Sequence, residues 1–140
     1  MKSFATTLSL LAVVGGLLTA CVTEDTGAFV PVNTTVNDLE NHEPLVLMTH
    51  RVQNSVTCSG LQVRTLPDGR MEVTSNIRNR EARRIQVQIN CVFKDDQGFP
   101  TEGDSPWHNL ILTENAQEPV SFTAFNPLAK RYTIRIREAH

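Results

Sequence analysis

Ile85-Gln86-Val87-Gln88-Ile89-Asn90-Cys91-Val92-Phe93-Lys94 alternates in character over ten positions. A period of two is the mark of a β-strand with one face against a core. It sets Ile85, Val87, Ile89, Cys91 and Phe93 inward and turns Gln86, Gln88, Asn90, Val92 and Lys94 mostly toward water. Asp95-Asp96-Gln97-Gly98 ends the strand with turn-forming residues. If Phe93 fills a core, truncating it to Ala costs about 3–5 kcal/mol.

Other β segments flank this strand. Upstream, Leu61–Leu66 and Met71–Ile77 enclose Pro67-Asp68-Gly69-Arg70, a hairpin signal because Gly tolerates positive φ. Leu45–Arg51 is the first strand expected, and Asn79-Arg80-Glu81-Ala82 is a polar turn. Downstream, Trp107–Thr113 and the alternating Val120, Phe122 and Ala124 are further strands, the latter ended by Asn126-Pro127. A last strand puts Tyr132, Ile134 and Ile136 on one face and Thr133, Arg135 and Arg137 on the other. Seven short strands at roughly ten-residue spacing, with no helical period, predict an all-β fold, an immunoglobulin-like β-sandwich.

The N-terminus has a different character. A charged start at Lys2 leads into an apolar run, Leu8–Leu18, and then to Leu18-Thr19-Ala20-Cys21. That order is a secretory signal peptide. The run is shorter than the about 20 apolar residues a membrane-spanning helix needs. A cysteine directly after Leu-x-Ala resembles the lipobox of bacterial lipoproteins. The resemblance implies cleavage before Cys21, a diacylglycerol on its thiol and a third acyl chain on its amine. Several chains anchor a protein stably where one holds it only marginally. Val22 is not the aspartate that retains many lipoproteins at the inner membrane, so the expected address is the outer membrane, facing the periplasm. The organisation is then a signal peptide over 1–20, a flexible polar tether over 21–43 beginning at lipidated Cys21, and a β-sandwich over 44–140.

Residues 1–20 hold one Lys and no acid, so the remaining 120 residues carry 12 basic and 15 acidic side chains. That length suits one domain, and the mild negative balance argues against nucleic acid as a partner. With Cys21 acylated, Cys58 and Cys91 remain in an oxidising compartment. A disulfide between them would close a loop of about thirty residues and stabilise by about 3–4 kcal/mol; two free thiols, Cys91 buried, is the alternative.

Catalytic signals are weak. His42, His50, His108 and His140 lie far from one another and from Cys at zinc spacing, so no metal site is expected. Gly-x-Ser-x-Gly is absent, and no glycine-rich phosphate loop occurs. Asp95, Asp96, Glu102 and Asp104 lack the ordered calcium-loop pattern. Cys58, with Ser and Gly neighbours, is the one candidate nucleophile. Arg78, Arg80, Arg83 and Arg84 crowd one turn, and Arg131, Arg135 and Arg137 mark the last strand. Converging, they would form a basic patch for lipid phosphates or an acidic partner; apart, they protect sheet edges.

From Asn76 onward the order of features resembles the YcfL-like family of small bacterial lipoproteins. The matching residues are Asn76-Ile77-Arg78-Asn79, Val92-Phe93-Lys94-Asp95, Gly98, Trp107, Leu110-x-Leu112, Ala124, Asn126-Pro127-x-Ala129 and the strand Tyr132–Arg137. Gln88–Phe93 is poorer in aromatics than the family's long strand, and the Cys58/Cys91 pair lies outside its pattern. The resemblance implies a periplasm-facing immunoglobulin-like sandwich with no catalytic residues and no cofactor. Some relatives look like partners of cell-wall synthesis or envelope assembly. The expected function is a membrane-anchored, non-catalytic binding or structural module. Its partners would be the membrane, through the lipid on Cys21, and an envelope protein or the cell wall. An assembly subunit and a thiol-dependent enzyme using Cys58 are the alternatives.

Overall fold

The computed structural model describes residues 38–139. The expected signal peptide, the acylated Cys21 and the tether as far as residue 37 lie outside the described residues, as does His140. In chain order the elements are α1 (Leu39–His42), β1 (Leu45–Leu47), α2 (His50–Ser55), β2 (Val56–Thr65), β3 (Met71–Asn79), β4 (Ile85–Lys94), β5 (His108–Leu112), β6 (Gln117–Thr123) and β7 (Arg131–Glu138).

The strands form two sheets, one ordered β1-β7-β4-β5 and the other β2-β3-β6. Every pairing is antiparallel except β1 with β7, which runs parallel from Leu45↔Ile134. In an immunoglobulin sandwich strands A–G pair as A-B-E-D and C-F-G. Read in chain order, β2, β3 and β6 hold the places of A, B and E, and β4, β5 and β7 those of C, C′ and F. In the place of G beside β7 lies β1, which runs parallel to it. Between the sheets lie Val73, Ile77 and Phe122 of one and Val87, Ile89, Cys91, Phe93, Leu112, Ile134 and Ile136 of the other. The inward half of the β4 alternation is therefore core, Phe93 included.

The hairpin turn forms where expected. Gly69 takes φ +84°, Leu66 N–H donates to Arg70 O at 2.8 Å, and Asp68 Oδ1 accepts from Arg70 N–H at 3.1 Å. A side chain at Gly69 would be strained at that φ and would also approach Pro127 to 3.3 Å.

Three expectations need correction. The first strand stops at Leu47, because Thr49 is extended and its hydroxyl accepts the Val52 N–H at 3.3 Å, capping α2. Arg51 thereby sits on a helix rather than a strand. Residues 38–43, expected as the end of the tether, are docked. Glu40 O accepts from Thr133 Oγ1 at 2.9 Å and from Lys94 Nζ, and Asn41 O accepts from Arg131. Finally, the polar side of β4 is not mostly in water. Asn90, Val92 and Lys94 are buried and Gln88 is half-buried, beneath α1 and the loop from Phe99 to Trp107.

That covering works because the polar groups satisfy one another. Asn90 Oδ1 accepts from Arg135 Nε at 3.0 Å, and Asn90 Nδ2 donates to Ser105 O at 3.3 Å. Lys94 Nζ donates to Thr133 Oγ1 at 3.1 Å, and Arg137 Nε donates to Gln88 Oε1 at 2.9 Å. Among the described residues no buried side-chain N or O lacks a partner. Trp107 lies against the same face, with Arg137 Cζ 4.0 Å and Arg135 Cζ 5.5 Å from its ring centre.

Candidate binding cleft

The strands define two ends. At the entry end are residues 38–44, the β2–β3 turn and the long loops before β5 and β7. At the far end are α2, the β3–β4 turn, the β5–β6 turn and the finish of β7. The far end holds a cleft of ≈ 200 Å³ whose lining includes Arg51, Val52, Arg83, Arg84, Val87 and Glu138.

Asn79 builds one wall. It is fully buried at the end of β3 and clamps two turns at once. Its Nδ2 donates to Arg83 O at 2.7 Å and to Thr113 O at 2.8 Å, while its Oδ1 accepts from Glu81 N–H at 2.9 Å. Arg80 N–H donates to Ser55 O at 2.8 Å, joining the turn to α2. Glu81 then takes hydrogen bonds from both Ser55 Oγ and Arg83 Nε. The Ser55 bond first, then Arg83, hold its carboxyl below the ordinary carboxylate range. Glu81 is thus a fixed negative charge that orients Arg83. On the other wall Arg51 Nε lies 3.7 Å from Glu138 Oε1.

Of the expected patch, Arg83 and Arg84 line the cleft and Arg78 and Arg80 do not. Arg84 is exposed and, among the described residues, forms no ion pair. Arg78 points outward on the three-stranded sheet. The β7 arginines do not converge with this turn: Arg135 pairs with Asp104 and Glu40, and Arg131 with the α1 carbonyl. Arg51 was not legible as a cleft residue, although Thr49 as a helix cap was the available signal. Among the described residues the cleft therefore offers one unpaired guanidinium and two oriented ones above an apolar floor of Val52 and Val87. A planar guanidinium fork matches a carboxylate or phosphate.

The other expected sites are dispersed. No Cys58–Cys91 disulfide forms; both thiols are free. Cys58 Sγ donates to Gly60 O at 3.3 Å across a bulge in its own strand, whereas Cys91 points from β4 into the core. Burial, then Glu102, pushes the Cys91 thiol up to about 12, so it stays protonated at neutral pH. Among the described residues no group of His, Cys, Asp and Glu is placed to hold a metal ion. The acids at the entry end are employed locally. Asp95 accepts from Gln97 and Phe99 N–H, each at 2.9 Å, and Glu102 accepts from Phe125 N–H at 2.8 Å.

The described residues thus make a two-sheet β-sandwich domain with an arginine-lined cleft at one end. The chain belongs to the family described as "Protein of unknown function (DUF1425)", which matches residues 43–138. No curated protein matches it. It is similar to the crystal structure of Campylobacter jejuni cj0090, with 14% sequence identity and a TM-score of 0.57, over 69% of this chain and 98% of that one. It is also similar to the crystal structure of a DUF1425 family member from Shewanella sp. pv-4. There the identity is 22% and the TM-score 0.55, over 61% of this chain and 79% of that one. At these identities the likeness shows the fold alone.

Proposed function

We propose that this DUF1425 domain is part of a YcfL-like lipoprotein of the bacterial envelope. Acyl chains on Cys21 hold it at the outer membrane, facing the periplasm, and it acts as a non-catalytic binding module. Its far-end cleft receives an acidic surface of another envelope protein. The observation that carries this reading is the cleft itself: Arg84, without an acidic partner among the described residues, beside Arg51 and Arg83, which Glu138 and Glu81 hold in place. It lies at the end of the sandwich away from residue 38, where the segment leading from Cys21 arrives. The sequence Leu18-Thr19-Ala20-Cys21 supports the anchor. The Cys58 thiol turned onto a carbonyl and the buried, protonated Cys91 thiol support a role without thiol chemistry.

A photocrosslinker in place of Gln86, on the cleft lining, tests this in cells. The expected result is an adduct with an acidic envelope protein that disappears in Arg84→Glu, while a crosslinker at Thr74 on the three-stranded sheet captures nothing. An adduct indifferent to Arg84→Glu, or none at Gln86, refutes the cleft. The mass of the N-terminal peptide reads acylation of Cys21 directly.

A further inference from the structure

Large apolar side chains concentrate at the entry end. Phe125 is 76% exposed, Phe99 65%, Leu128 63% and Leu39 55%. Phe99 stands on the loop after β4, Phe125 and Leu128 on the loop before β7, and Leu39 on α1. These loops are held stiffly. Asp95 N–H donates to Phe99 O at 2.8 Å, and Asn126 Oδ1 accepts from Leu128 N–H at 2.9 Å. Asn126 Nδ2 donates to Thr101 O at 3.1 Å, tying one loop to the other. The apolar side chains are therefore displayed, not loosely collapsed. Clustered exposure of this kind marks a surface for protein or membrane.

Two observations select the membrane. The chain arrives here: α1 is pinned through Glu40 O to Lys94 and Thr133, so the segment from Cys21 joins the domain at the end that carries the apolar tips. The 17 positions from Cys21 to Asp38 can span about 60 Å when extended. That reach exceeds what would dictate which end of the domain meets a bilayer, so contacts of the domain itself are what would set its orientation. Charge then narrows the surface. The same loops carry Asp95, Asp96, Glu102 and Asp104 against Lys130 and Arg131, an arrangement that does not seek anionic headgroups.

We propose that Phe99, Phe125 and Leu128 insert into the interface of a zwitterionic phospholipid bilayer and hold the arginine cleft pointing away from it. The proposal rests on the anchored reading above and adds to it an orientation. Docking beside an existing anchor is intramolecular, so individually weak insertions suffice.

The test uses the full chain purified from cell membranes and reconstituted into phosphatidylcholine vesicles with brominated acyl chains. In a Trp107→Phe background, one variant carries Phe125→Trp and another Met48→Trp, the latter on an exposed residue toward the far end. The indole introduced by Phe125→Trp is expected to lose at least half its fluorescence, and that from Met48→Trp less than a tenth. Equal quenching at both positions, quenching only at position 48, or none at position 125 overturns the proposal; the last is the outcome if a protein partner covers the tips. Should the N-terminal mass show no acylation, the anchored reading fails by that measurement alone. The orientation is then tested by coupling the Cys21 thiol to a maleimide lipid in a Cys58→Ser background, with the same expected and overturning results.

Discussion

On the three-stranded sheet, Glu72, Thr74, Asn76 and Arg78 of β3 point outward beside Thr123, Ser121, Pro119 and Gln117 of β6. All of them remain half-buried or exposed. On the four-stranded sheet, Gln88, Asn90, Val92 and Lys94 of β4 point outward beside Arg137, Arg135, Thr133 and Arg131 of β7. There α1 and the Phe99–Trp107 loop close over the strands, and Asn90, Lys94 and Thr133 have almost no contact with water. Both faces are mostly polar, the second carrying four basic side chains, and their fates are opposite. What separates them is whether the chain supplies covering groups that complete each hydrogen bond. A buried polar group with its partners is tolerated; without them it costs about 1–3 kcal/mol. The covered face also fixes where residues 38–43 join the sandwich.

The strongest way to break this comparison is to show that the covered face contributes nothing. Phe93→Ala, on the inner side of β4, gives the scale: a loss of about 3–5 kcal/mol in chemical denaturation. Asn90→Ala, on the outer side of the same strand, is expected to lose about 2–4 kcal/mol, because it removes bonds to Ser105 O and Arg135 Nε and leaves both without a partner. A loss under about 0.5 kcal/mol, the size typical of surface substitutions, would mean that this face opens in solution. Thr133→Val keeps the shape and removes the hydroxyl that joins Lys94 to Glu40 O. We expect a loss of about 1–2 kcal/mol, with faster hydrogen exchange confined to the α1 region.

How much of this was legible follows from the same strand. The inward residues of β4 were readable because burying apolar surface needs no knowledge of the partner. The hairpin at Gly69 was equally plain, since its turn chemistry is local. The covering of Asn90 and Lys94 was not. It depends on Ser105, Thr133 and Glu40, which lie up to 54 positions away from the groups they satisfy, and an alternating polar residue carries no sign of a distant partner. Arg51 escaped for a smaller reason. Leu45–Arg51 contains enough β-branched and apolar residues to suggest a strand, and the single hydroxyl of Thr49 redirects it into a helix.

Proton linkage sharpens the comparison without disturbing the packing elsewhere. Burial lowers the Lys94 ammonium from its ordinary 10.5, with Glu40 pulling partly in the other direction. The folded protein therefore releases this proton at a lower pH than the unfolded chain does. Between the two values the unfolded chain holds more protons, so this group's contribution to stability rises with pH and levels off at 10.5. Lys94→Met abolishes the titration. The stability of the native protein minus that of Lys94→Met is expected to rise from neutral pH toward 10.5; a flat difference would place the ammonium in water.

The smallest effect belongs to the bare face. Thr74 Oγ1 and Ser121 Oγ lie 2.8 Å apart across β3 and β6, a neutral hydroxyl pair, whereas Thr133 Oγ1 meets the Lys94 ammonium and the Glu40 carbonyl. In the hydroxyl pair water can replace either partner. Thr74→Val should therefore change stability by no more than about 0.5 kcal/mol, set against about 1–2 kcal/mol for Thr133→Val. The pair is informative because the substitution is the same while the covering, and the partners it brings, differ. If Thr74→Val cost as much as Thr133→Val, the hydroxyl's value would lie in the strand pairing rather than in its burial. The contrast between the two faces would then lose its physical basis.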